Sequence, residues 1–430
     1  MRRPRLAVGL VRRHTWARPA AGNWPYAGDS GTDVSLGAVR LIWLIHVATF
    51  FFFFALGLSI PILPIYLAEE FGITAAWIGW AVALMPLAGI LLRPWSGSVT
   101  DSLSRKWPTV LGLAVSGVAG ILYFGTLWLV LLARVLQGAG LAFFAPASLA
   151  LTSDLASEDR LTGIMSTRNL LVGVGIMSGS AVAGVVAEWL GFRAVFALMA
   201  AVQLVFVPLL SRLPETLQER RRASWWRSYL DVLKVTAITA ATIGNLGFAA
   251  VLATLQAYYP LILSEAGFTT ALIGAFFGFY SFVSVLFRIP AGPLAQRFTA
   301  ERVALWGFAL TFLGLAVLWW QPLPPWAFVA GTLMGAGSGL YLPANLVAVS
   351  HAAPRAIRGS AYSLYTMSWD VGGFAGPVVG GAVVGAVASA YGVLPLALML
   401  ATLVIFAYVR LLGPGVLKLS RAPVRSRADT

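Results

Sequence analysis

The sequence has no cysteine and few charged residues, and each shortage excludes a class of protein. Without cysteine there is no disulfide bond, no thiolate metal site and no cysteine nucleophile. Charged residues make up 11% of the 430 positions, whereas hydrophobic residues make up 59%. A water-soluble globular protein carries about 25% charged residues. The composition therefore predicts a membrane protein with many spans.

Several catalytic motifs are also missing. The sequence contains no Walker loop, no Ser/His/Asp arrangement, no His-Glu-x-x-His and no carboxylate cluster. Their absence argues against ATP-driven transport and against hydrolytic or metal chemistry. We therefore expect neither an enzyme nor a bound cofactor or metal, and any uphill process should draw on an ion gradient.

Apolar windows recur along nearly the whole chain. Each is about 20 residues long, the length that crosses the hydrocarbon layer as a helix, whereas strands of a membrane barrel would give shorter, alternating segments. Gly, Pro and charged residues separate the windows. We predict twelve transmembrane helices near residues 41–65, 76–97, 108–124, 127–151, 163–187, 193–211, 233–261, 271–292, 302–320, 325–349, 359–385 and 388–411.

The formal net charge of +14 comes almost entirely from Arg. These residues lie in the tails and in alternate connections between apolar segments, and not in a patch suited to nucleic acid. With the N-terminus inside, only Arg193 falls in an outer connection. Because cytoplasmic connections carry the excess of Lys and Arg, we predict a bacterial cytoplasmic-membrane protein with both termini inside, embedded in the lipid bilayer and not bound to nucleic acid.

The polar stretches divide the chain into five parts. The N-terminal stretch is basic and then Gly-rich, and its one apolar run is too short for a signal-peptide core. The most charged connection lies between helices six and seven. We predict a disordered cytoplasmic tail at 1–39, a six-helix bundle at 40–211, a cytoplasmic linker at 212–232, a second six-helix bundle at 233–411 and a cytoplasmic tail at 412–430.

The two predicted halves share a pattern of Gly, Pro and Arg. Matched residues of the first half are Gly79, Arg93, Gly97, Gly138, Gly140, Pro146, Gly175, Gly179 and Gly184, and those of the second half are Gly274, Arg288, Gly292, Gly335, Gly337, Pro343, Gly372, Gly376 and Gly381. A run of matches at nearly constant spacing predicts a duplication of six helices. Such a duplication suits a secondary transporter, in which two bundles rock about a site near the bilayer midplane.

The polar stretch after the second predicted helix carries a motif. Gly97 is followed by Asp101 and then by Arg105 and Lys106. This spacing resembles the cytoplasmic-loop signature of the major facilitator superfamily, although Ser replaces a basic residue and a second Gly of that signature. The resemblance to this family covers about residues 40–411.

The resemblance implies a role for these loop charges. In the family the loop links the two halves while the cytoplasmic side is closed, and Arg105 would reach an acid at the end of helix four, here Asp154. The second half keeps Arg288 and Gly292 but has Gln296 in place of the loop acid. We therefore expect an acidic latch in the first half alone. The alternative is that these are ordinary solvated loop charges.

Helix four carries Arg134 before Gly138 and Gly140, which resembles a second signature of the same superfamily. An Arg at the centre of an apolar helix costs about 2.5–3.5 kcal/mol on insertion scales. Arg134 should therefore face a cavity or a partner, where it tunes a nearby acid or holds an anion. The alternative is a structural donor to backbone carbonyls freed near Pro146.

Helix eleven contains a Gly-rich pattern. It resembles the pattern associated with exporters of this superfamily, which normally lies in helix five. The residues in helix eleven are Gly372, Gly376, Pro377, Gly380 and Gly381, and helix five keeps Gly175, Gly179 and Gly184. The alternative is close helix packing, because small residues four apart let two helices approach.

Asp370 is the only acid that we place deep inside a predicted helix. An intramembrane carboxyl is a functional candidate by default, and we predict that Asp370 couples transport to protons, with Arg134 and His46 as further candidates. The alternatives are a polar contact to a neighbouring helix for Asp370 and a structural role for His46. We group Arg93 with the loop charges that follow it.

The resemblance also implies a substrate cavity, because helices one, four, seven and ten line it in this superfamily. We expect polar residues of those helices, together with an aromatic residue of helix eleven, to contact a small-molecule substrate. These residues are Tyr66, Gln137, Asn245, Gln256, Tyr259, Tyr341, Asn345 and Trp369.

These patterns predict an all-α integral membrane fold, with twelve transmembrane helices in two pseudo-symmetric six-helix bundles. The chain resembles the twelve-helix drug or metabolite:proton antiporters of the superfamily. That resemblance implies a monomer that exports a small organic or lipophilic compound by alternating access. Two alternatives stay open: a proton-coupled symporter that imports a sugar or an organic anion, and a membrane scaffold or sensor without transport.

Overall fold

The computed structural model describes residues 36–156, 158–217, 232–353 and 358–413. The predicted N-terminal tail up to residue 35, most of the predicted linker and the predicted C-terminal tail from residue 414 lie outside these ranges. At a few helical positions, Asp101 among them, only the backbone is described.

Within the described ranges the chain forms helices and no strands. The helices are α1 (Leu36–Phe71), α2 (Ala75–Ser102), α3 (Lys106–Leu122), α4 (Leu127–Leu155), α5 (Glu158–Leu190), α6 (Phe192–Leu210, interrupted at Val205), α7 (Thr236–Glu265), α8 (Thr270–Phe298), α9 (Ala300–Trp320), α10 (Trp326–Ala352), α11 (Arg358–Val387) and α12 (Val393–Leu412). Eleven of them are long and apolar enough to cross a membrane, and α3 is shorter, with 17 residues. The predicted all-α fold with twelve helices is therefore confirmed.

The first helix is longer than its predicted span. With 36 residues, α1 is about 54 Å long at 1.5 Å per residue, whereas the hydrocarbon layer is about 30 Å thick. Both ends of α1 therefore extend beyond that layer. The helix begins at Leu36, so residues 36–39 are helical and do not belong to the predicted tail. We call the side on which α1 begins the cytoplasmic side, as the distribution of Arg predicts.

A single residue joins α5 to α6. Gly191 has a φ of 80°, in the left-handed region that Gly adopts without a Cβ clash. The chain can therefore reverse direction at this residue and begin α6 at Phe192. The two helices form an adjacent antiparallel pair.

The helices α1–α6 and α7–α12 form two halves with equivalent internal packing. In the first half α3 packs on α4, and a methyl group added at Gly112 would lie 2.6 Å from the Gly140 carbonyl oxygen. In the second half α9 packs on α10, and a methyl group at Gly307 would lie 2.6 Å from the Gly337 carbonyl oxygen. The same close approach therefore occurs in both halves and requires Gly at all four positions.

Stacked aromatic rings mark the same equivalence. Phe52 of α1 stacks on Phe144 of α4, with ring centroids 4.2 Å apart. Phe248 of α7 stacks on Tyr341 of α10, with ring centroids 4.5 Å apart. Both pairs lie within apolar clusters of their own half. The duplication predicted from the spacing of Gly, Pro and Arg is therefore visible in side-chain packing as well.

The two halves meet along α2 and α11, along α5 and α8, and along α1 and α7. At the outer ends the contact is close, with Gly184 of α5 against Gly274 of α8. At the cytoplasmic ends, a methyl group added at Gly97 of α2 or at Gly292 of α8 would have no described atom within 4 Å. Among the described residues, the halves therefore contact each other closely on the outer side and leave Gly97 and Gly292 uncovered on the cytoplasmic side.

Candidate functional site

An ion pair joins the two halves inside the membrane. The guanidinium of Arg93 on α2 donates to both carboxylate oxygens of Asp370 on α11, from Nη2 to Oδ1 at 3.1 Å and from Nε to Oδ2. Asp370 is buried, with 4% of its surface exposed, and the side chain of Arg93 is 22% exposed. Bidentate contact between Arg and a carboxylate is a strong, geometrically defined interaction. The pair therefore fixes how α2 and α11 lie against each other.

Glycine on α2 makes room for this carboxylate. Gly89 lies one helical turn before Arg93, and a methyl group added there would lie 3.2 Å from the carboxyl carbon of Asp370. Such a distance is tighter than an ordinary van der Waals contact, so the carboxylate occupies space that a larger side chain at residue 89 would take. The local sequence of α2 thus provides both the cation and the space that Asp370 needs.

A cavity of about 300 Å³ lies beside the ion pair, toward the cytoplasmic side. A volume of this size is at the lower end of the range for small-molecule sites. The cavity is lined by residues of α2, α7, α10 and α11, namely Arg93, Asn245, Leu342, Leu346, Tyr365, Thr366 and Trp369. Its lining is mainly apolar, with one cation and a few hydrogen-bonding groups. The cavity therefore suits a small, largely apolar molecule.

The interface between α5 and α8 has a different composition from that between α2 and α11. Arg288 of α8 is the duplicate of Arg93, and it lies over Gly173 of α5, so that a methyl group added at Gly173 would be 3.0 Å from Nη1. Gly173 precedes Asp370 by 197 residues, the offset that relates the other matched residues of helices five and eleven. The second interface therefore has the cation and, at the matching position, no carboxylate.

Among the proton-coupling candidates, Arg134 has structural partners. Its Nη1 donates to Gln137 Oε1 at 2.9 Å and its Nη2 donates to the Val82 carbonyl oxygen at 3.0 Å. Gln137 also accepts a hydrogen bond from the Tyr123 hydroxyl at 2.6 Å. The residue is buried in the first half, where it joins α4 to α2. Arg134 therefore has structural partners, but its backbone acceptor belongs to Val82 of α2 and not to the region of Pro146, and Asp370 is not among its partners.

His46 is buried between α1 and α5. Its Nε2 donates to the Ile164 carbonyl oxygen at 3.2 Å, and its Nδ1 has no partner among the described residues. Arg168 of α5 lies nearby and donates to Ser148 Oγ at 2.9 Å. The structure therefore places His46 within the first half, away from Asp370 and its cavity.

Two of the residues predicted to contact substrate line the cavity. Asn245 donates from Nδ2 to the Tyr365 carbonyl oxygen at 2.8 Å and to Ser368 Oγ at 3.1 Å, which leaves its Oδ1 without a partner among the described residues. Trp369 lies beside it, on the same helix as Asp370. Asn245 and Trp369 are therefore the members of the predicted set that a molecule in this cavity can contact.

The other predicted contact residues do not line this cavity. Tyr66 donates to the Tyr123 carbonyl oxygen at 2.6 Å, Tyr259 donates to the Pro322 carbonyl oxygen at 2.5 Å, and Asn345 donates to the Tyr341 hydroxyl at 2.6 Å. The residues concerned are Tyr66, Gln137, Tyr259, Tyr341 and Asn345, all buried, and Gln256, which is partly buried on α7. Tyr66 and Gln137 belong to α1 and α4, which provide no residue of the cavity lining.

The cytoplasmic loop motif places an ion pair within the first half. Arg105, just before α3, pairs with Asp154 near the end of α4, and Thr216 donates to Asp154 Oδ2 at 2.5 Å. Lys106 lies over the ring of Trp107, with 4.9 Å between its Nζ and the ring centroid. The side chain of Asp101 lies outside the described part of the chain. The latch prediction thus has two of its members in contact, and both belong to the same half.

An acid that the sequence did not single out completes this cluster. Glu215 follows α6, and its carboxylate accepts hydrogen bonds from the Ser104 hydroxyl and from the backbone N–H of Arg105 at 2.9 Å. The N–H groups at the start of a helix have no partner within the helix, and an acid placed there stabilises the end. Glu215 therefore caps α3. The one available signal was its position in the charged stretch after helix six.

Solvation and hydrogen bonding act on Glu215 in opposite directions. Burial raises the pKa of Glu215, but hydrogen bonds from the Ser104 hydroxyl and from three backbone N–H groups lower it more. The net pKa lies below that of an ordinary glutamate. Glu215 is therefore ionised at neutral pH, and its charge favours the observed cap.

The Gly-rich pattern of helix eleven packs helices together. Gly372 lies against the backbone of Leu246 on α7, as Gly175 lies against that of Phe50 on α1. Gly381 contacts the backbone of Ala76 on α2, across the two halves. The remaining small residues, Gly179, Gly184, Gly376 and Gly380, also contact backbone or side-chain atoms of a neighbouring helix, and Pro377 accepts a hydrogen bond from Tyr258 at 2.8 Å.

Sequence reasoning missed the partner of Asp370. Its sequence position suggests that Arg93 belongs with the loop charges, but it lies within α2, nine residues before that helix ends. A signal was present, because a buried acid in a membrane requires a donor or a cation. Arg93 is one of the few cations inside a predicted span.

No group of three His, Asp or Glu side chains in the described residues could hold a metal ion.

Comparisons with a family model and with known sequences point to the same superfamily. The pattern of the Major Facilitator Superfamily matches residues 45–279 and 241–426. The chain is 27% identical over 363 residues to the uncharacterized MFS-type transporter YhhS of Escherichia coli (strain K12), with 81% of this chain and 88% of that protein covered. It is 26% identical over 351 residues to the uncharacterized MFS-type transporter BMASAVP1_A0869 of Burkholderia mallei (strain SAVP1), with 77% and 83% covered.

Solved structures with a similar fold are more distant in sequence. A mutant of the nucleoside transporter NupG matches with a TM-score of 0.74 and 17% identity. The match covers 87% of this chain and 100% of the NupG chain. A bacterial homolog of the human lysosomal transporter Spinster, in an inward-facing and unoccupied conformation, matches with a TM-score of 0.74 and 13% identity, over 88% and 98%. At these identities the likeness concerns the fold.

Proposed function

The chain belongs to the major facilitator superfamily of membrane transporters, and we propose that it exports a small organic or lipophilic compound in exchange for protons. The observation that carries this proposal is the buried ion pair between Asp370 and Arg93, which joins the two halves beside the cavity. Asp370 can exchange its contact with Arg93 for a proton. In this proposal it is the group that couples proton movement to the change of conformation.

Coupling follows from the position of the pair between the two halves. A carboxylate that binds a proton loses its negative charge, and its attraction to the guanidinium falls accordingly. The pair contributes to the contact of α2 with α11, so its loss changes the free-energy difference between the inward-open and outward-open states. A compound in the cavity lies beside the same pair. Binding of the compound and binding of the proton therefore influence each other.

The lining of the cavity supports a lipophilic substrate. Leu342, Leu346 and Trp369 are apolar side chains of the lining, and Asn245 has an amide oxygen with no partner among the described residues, which can orient a substrate. The exporter-like Gly pattern of α11 supports the outward direction. Likeness to a nucleoside transporter at 17% identity concerns the fold alone, so the proposed substrate class rests on the cavity.

Proton movement in proteoliposomes tests the proposal. The purified full-length protein is reconstituted with a pH-sensitive dye inside, and ethidium, chloramphenicol and benzoate serve as cationic, neutral and anionic probes. We expect at least one probe to move protons in the direction opposite to its own. In Asp370→Asn this proton flux should fall to the level of protein-free liposomes, whereas Asp370→Glu, which keeps an ionisable carboxyl, should retain part of it.

The same assay decides between export and the alternative function. A symporter moves protons in the same direction as the probe, which would replace exchange by proton-coupled import. Full proton flux in Asp370→Asn would remove Asp370 from the coupling mechanism. The absence of flux with every probe that binds would favour a scaffold or sensor.

A further inference from the structure

Arg288 is a cation without a protein partner in the described part of the chain. It lies on α8 at the interface with α5, and its side chain is only partly exposed. No carboxylate of the described residues lies within 4 Å of its guanidinium, and its Nε is buried with no hydrogen bond. The phenol of Tyr280, an uncharged group, is its nearby electrostatic neighbour. A charged group inside a membrane is costly unless something pairs with it.

Other Arg residues inside the spans differ from Arg288. Arg93 has the carboxylate of Asp370, and Arg134 has the oxygens of Gln137 and Val82. Arg168 donates to Ser148 Oγ at 2.9 Å and to the Ala145 carbonyl oxygen at 3.3 Å. These hydrogen bonds give each of the three a structural role. The described residues around Arg288 provide no comparable hydrogen bonds.

The duplication shows what is missing next to Arg288. Its equivalent in the first half, Arg93, binds the carboxylate of Asp370, and the residue equivalent to Asp370 is Gly173. A methyl group at Gly173 would lie 3.0 Å from Arg288 Nη1, so the guanidinium lies directly over a residue without a side chain. The second interface therefore keeps the cation of the pair and lacks its carboxylate.

An external carboxylate would complete this second pair. We propose that Arg288 binds the carboxylate group of the transported compound, which makes the substrate class a lipophilic carboxylic acid in its anionic form. This proposal rests on the proposed transport function and specifies its substrate. Arg288 is not among the residues that line the cavity beside Arg93, so the apolar part of such a molecule would lie against Val285 at the α5–α8 interface. Guanidinium groups suit carboxylates because they donate two parallel hydrogen bonds.

The location of Arg288 agrees with this role. Contacts between α2 and α11 and between α5 and α8 form two separate seams between the halves. The pseudo-twofold relation of the repeats places Arg288 opposite Arg93, across the space between these seams. Gly292, one turn further toward the cytoplasm on α8, has no described atom within 4 Å of an added methyl group. The described residues therefore leave this position, on the cytoplasmic side of Arg288, uncovered.

Calorimetric binding of matched probes tests the proposal. Purified full-length protein is titrated with benzoate, salicylate and octanoate, and with the corresponding amides benzamide, salicylamide and octanamide. We expect at least one carboxylate to bind and its amide to bind about tenfold more weakly or not at all, because a hydrogen-bonded charge is lost. Arg288→Gln should lose this preference, and Arg288→Lys should keep part of it.

A second pair of variants tests the role of Gly173. Gly173→Asp provides a carboxylate from the chain itself, which should pair with Arg288 and weaken carboxylate binding about tenfold or more. Gly173→Asn adds a side chain of the same size without the charge and should weaken binding less. This comparison keeps the test decisive even where Arg288→Gln fails to fold.

Three outcomes would overturn the proposal: no carboxylate binds the wild-type protein, Arg288→Gln binds the carboxylate as tightly as the wild type, or Gly173→Asp binds it as tightly as Gly173→Asn does. Failure of the proposed transport function is recorded separately, by proton flux in the Asp370 variants. Loss of carboxylate binding in Arg288→Gln with no proton coupling in the wild type would support the anion site and refute proton exchange. Proton-coupled flux of ethidium or chloramphenicol without carboxylate binding would support proton exchange and refute the anion site.

Discussion

The two seams between the halves come from one duplicated sequence and differ in charge. At the seam between α2 and α11, Arg93 is paired with Asp370. At the seam between α5 and α8, the equivalent cation Arg288 lies over Gly173. The packing of the halves themselves remains equivalent, as the aromatic stacks and the Gly contacts show. The repeats have therefore kept their fold and diverged at the charges between them.

In the mechanism that we propose, this difference gives the two seams separate functions. A pair within the protein can exchange its contact for a proton, so the first seam is suited to respond to pH. A cation without a protein partner can accept an anion from outside, so the second seam is suited to respond to a ligand. In natural proteins, departures from local regularity concentrate at functional sites, and the departure from pseudo-symmetry occurs here at residues 173 and 370.

The largest effect is expected from removal of Arg93, and removal of the equivalent Arg288 is the comparison. Arg93→Gln leaves the buried carboxylate of Asp370 without its cation, and we expect the free energy of unfolding to fall by about 2–4 kcal/mol. This is below the range for a fully enclosed pair, because the Arg93 side chain is 22% exposed. Arg288→Gln breaks no pair among the described residues and should change stability by about 1 kcal/mol or less. Unfolding of the purified variants in detergent measures both.

A control separates the charge from the packing of the long side chain. Arg93→Lys keeps the charge but loses the two parallel hydrogen bonds, so its stability should lie between those of the wild type and Arg93→Gln. If Arg93→Gln and Arg288→Gln lower stability equally, the two seams are energetically alike, and the comparison is wrong.

A smaller effect is expected in the cytoplasmic loops, where the halves also differ. In the first half, Glu215 and Asp154 both bind Arg105 at the start of α3. The second half has His351 at the position equivalent to Asp154. Glu215→Gln removes a charged helix cap and should lower the free energy of unfolding by about 0.5–1 kcal/mol at neutral pH. Glu69→Gln, at an exposed position on α1, is the matched control and should have no measurable effect.

The pH dependence of this effect has a defined sign. The pKa of Glu215 is lowered in the folded protein. Its stabilising contribution is therefore fully present above the pKa of an unfolded glutamate and is lost as the pH falls through the lower, folded-state pKa. The difference between wild type and Glu215→Gln should shrink on acidification. A difference that grows in acid would contradict the assignment of Glu215 as an ionised cap.

Much of the fold could be predicted from the sequence, because apolar length and Gly spacing are properties of the chain itself. The twelve helices, the duplication and the special position of Asp370 all follow from such patterns. The partner of Asp370 did not follow, because α2 and α11 are far apart in sequence and only the tertiary structure brings Arg93 to the carboxylate. The same limit applies to Glu215, which reaches α3 from beyond α6.

The cavity residues show a second limit. Tyr66, Gln137 and Asn345 lie on the expected helices, but a hydrophobic helix in a membrane gives little sign of which face is turned to a cavity. In the structure, each of these side chains makes a hydrogen bond to a neighbouring segment of its own half. The same limit applies to Arg134, because the partners of its side chain depend on the face of α4 on which it lies.

The central claim is that protonation of Asp370 controls the relative position of the halves, and an interspin distance tests it most directly. The chain has no native cysteine, so Leu103→Cys and His351→Cys, both at exposed positions near the cytoplasmic ends of different halves, can carry the only spin labels. The distance distribution between them is measured by pulsed electron paramagnetic resonance in mildly alkaline and in mildly acidic buffer, with Arg288→Gln as control.

We predict that the distribution shifts between the two buffers in the wild type and in Arg288→Gln, and that it stays the same in both buffers in Asp370→Asn, which cannot gain or lose a proton at this position. A shift in Asp370→Asn equal to that of the wild type would contradict the claim, because the response to pH would then arise elsewhere in the protein.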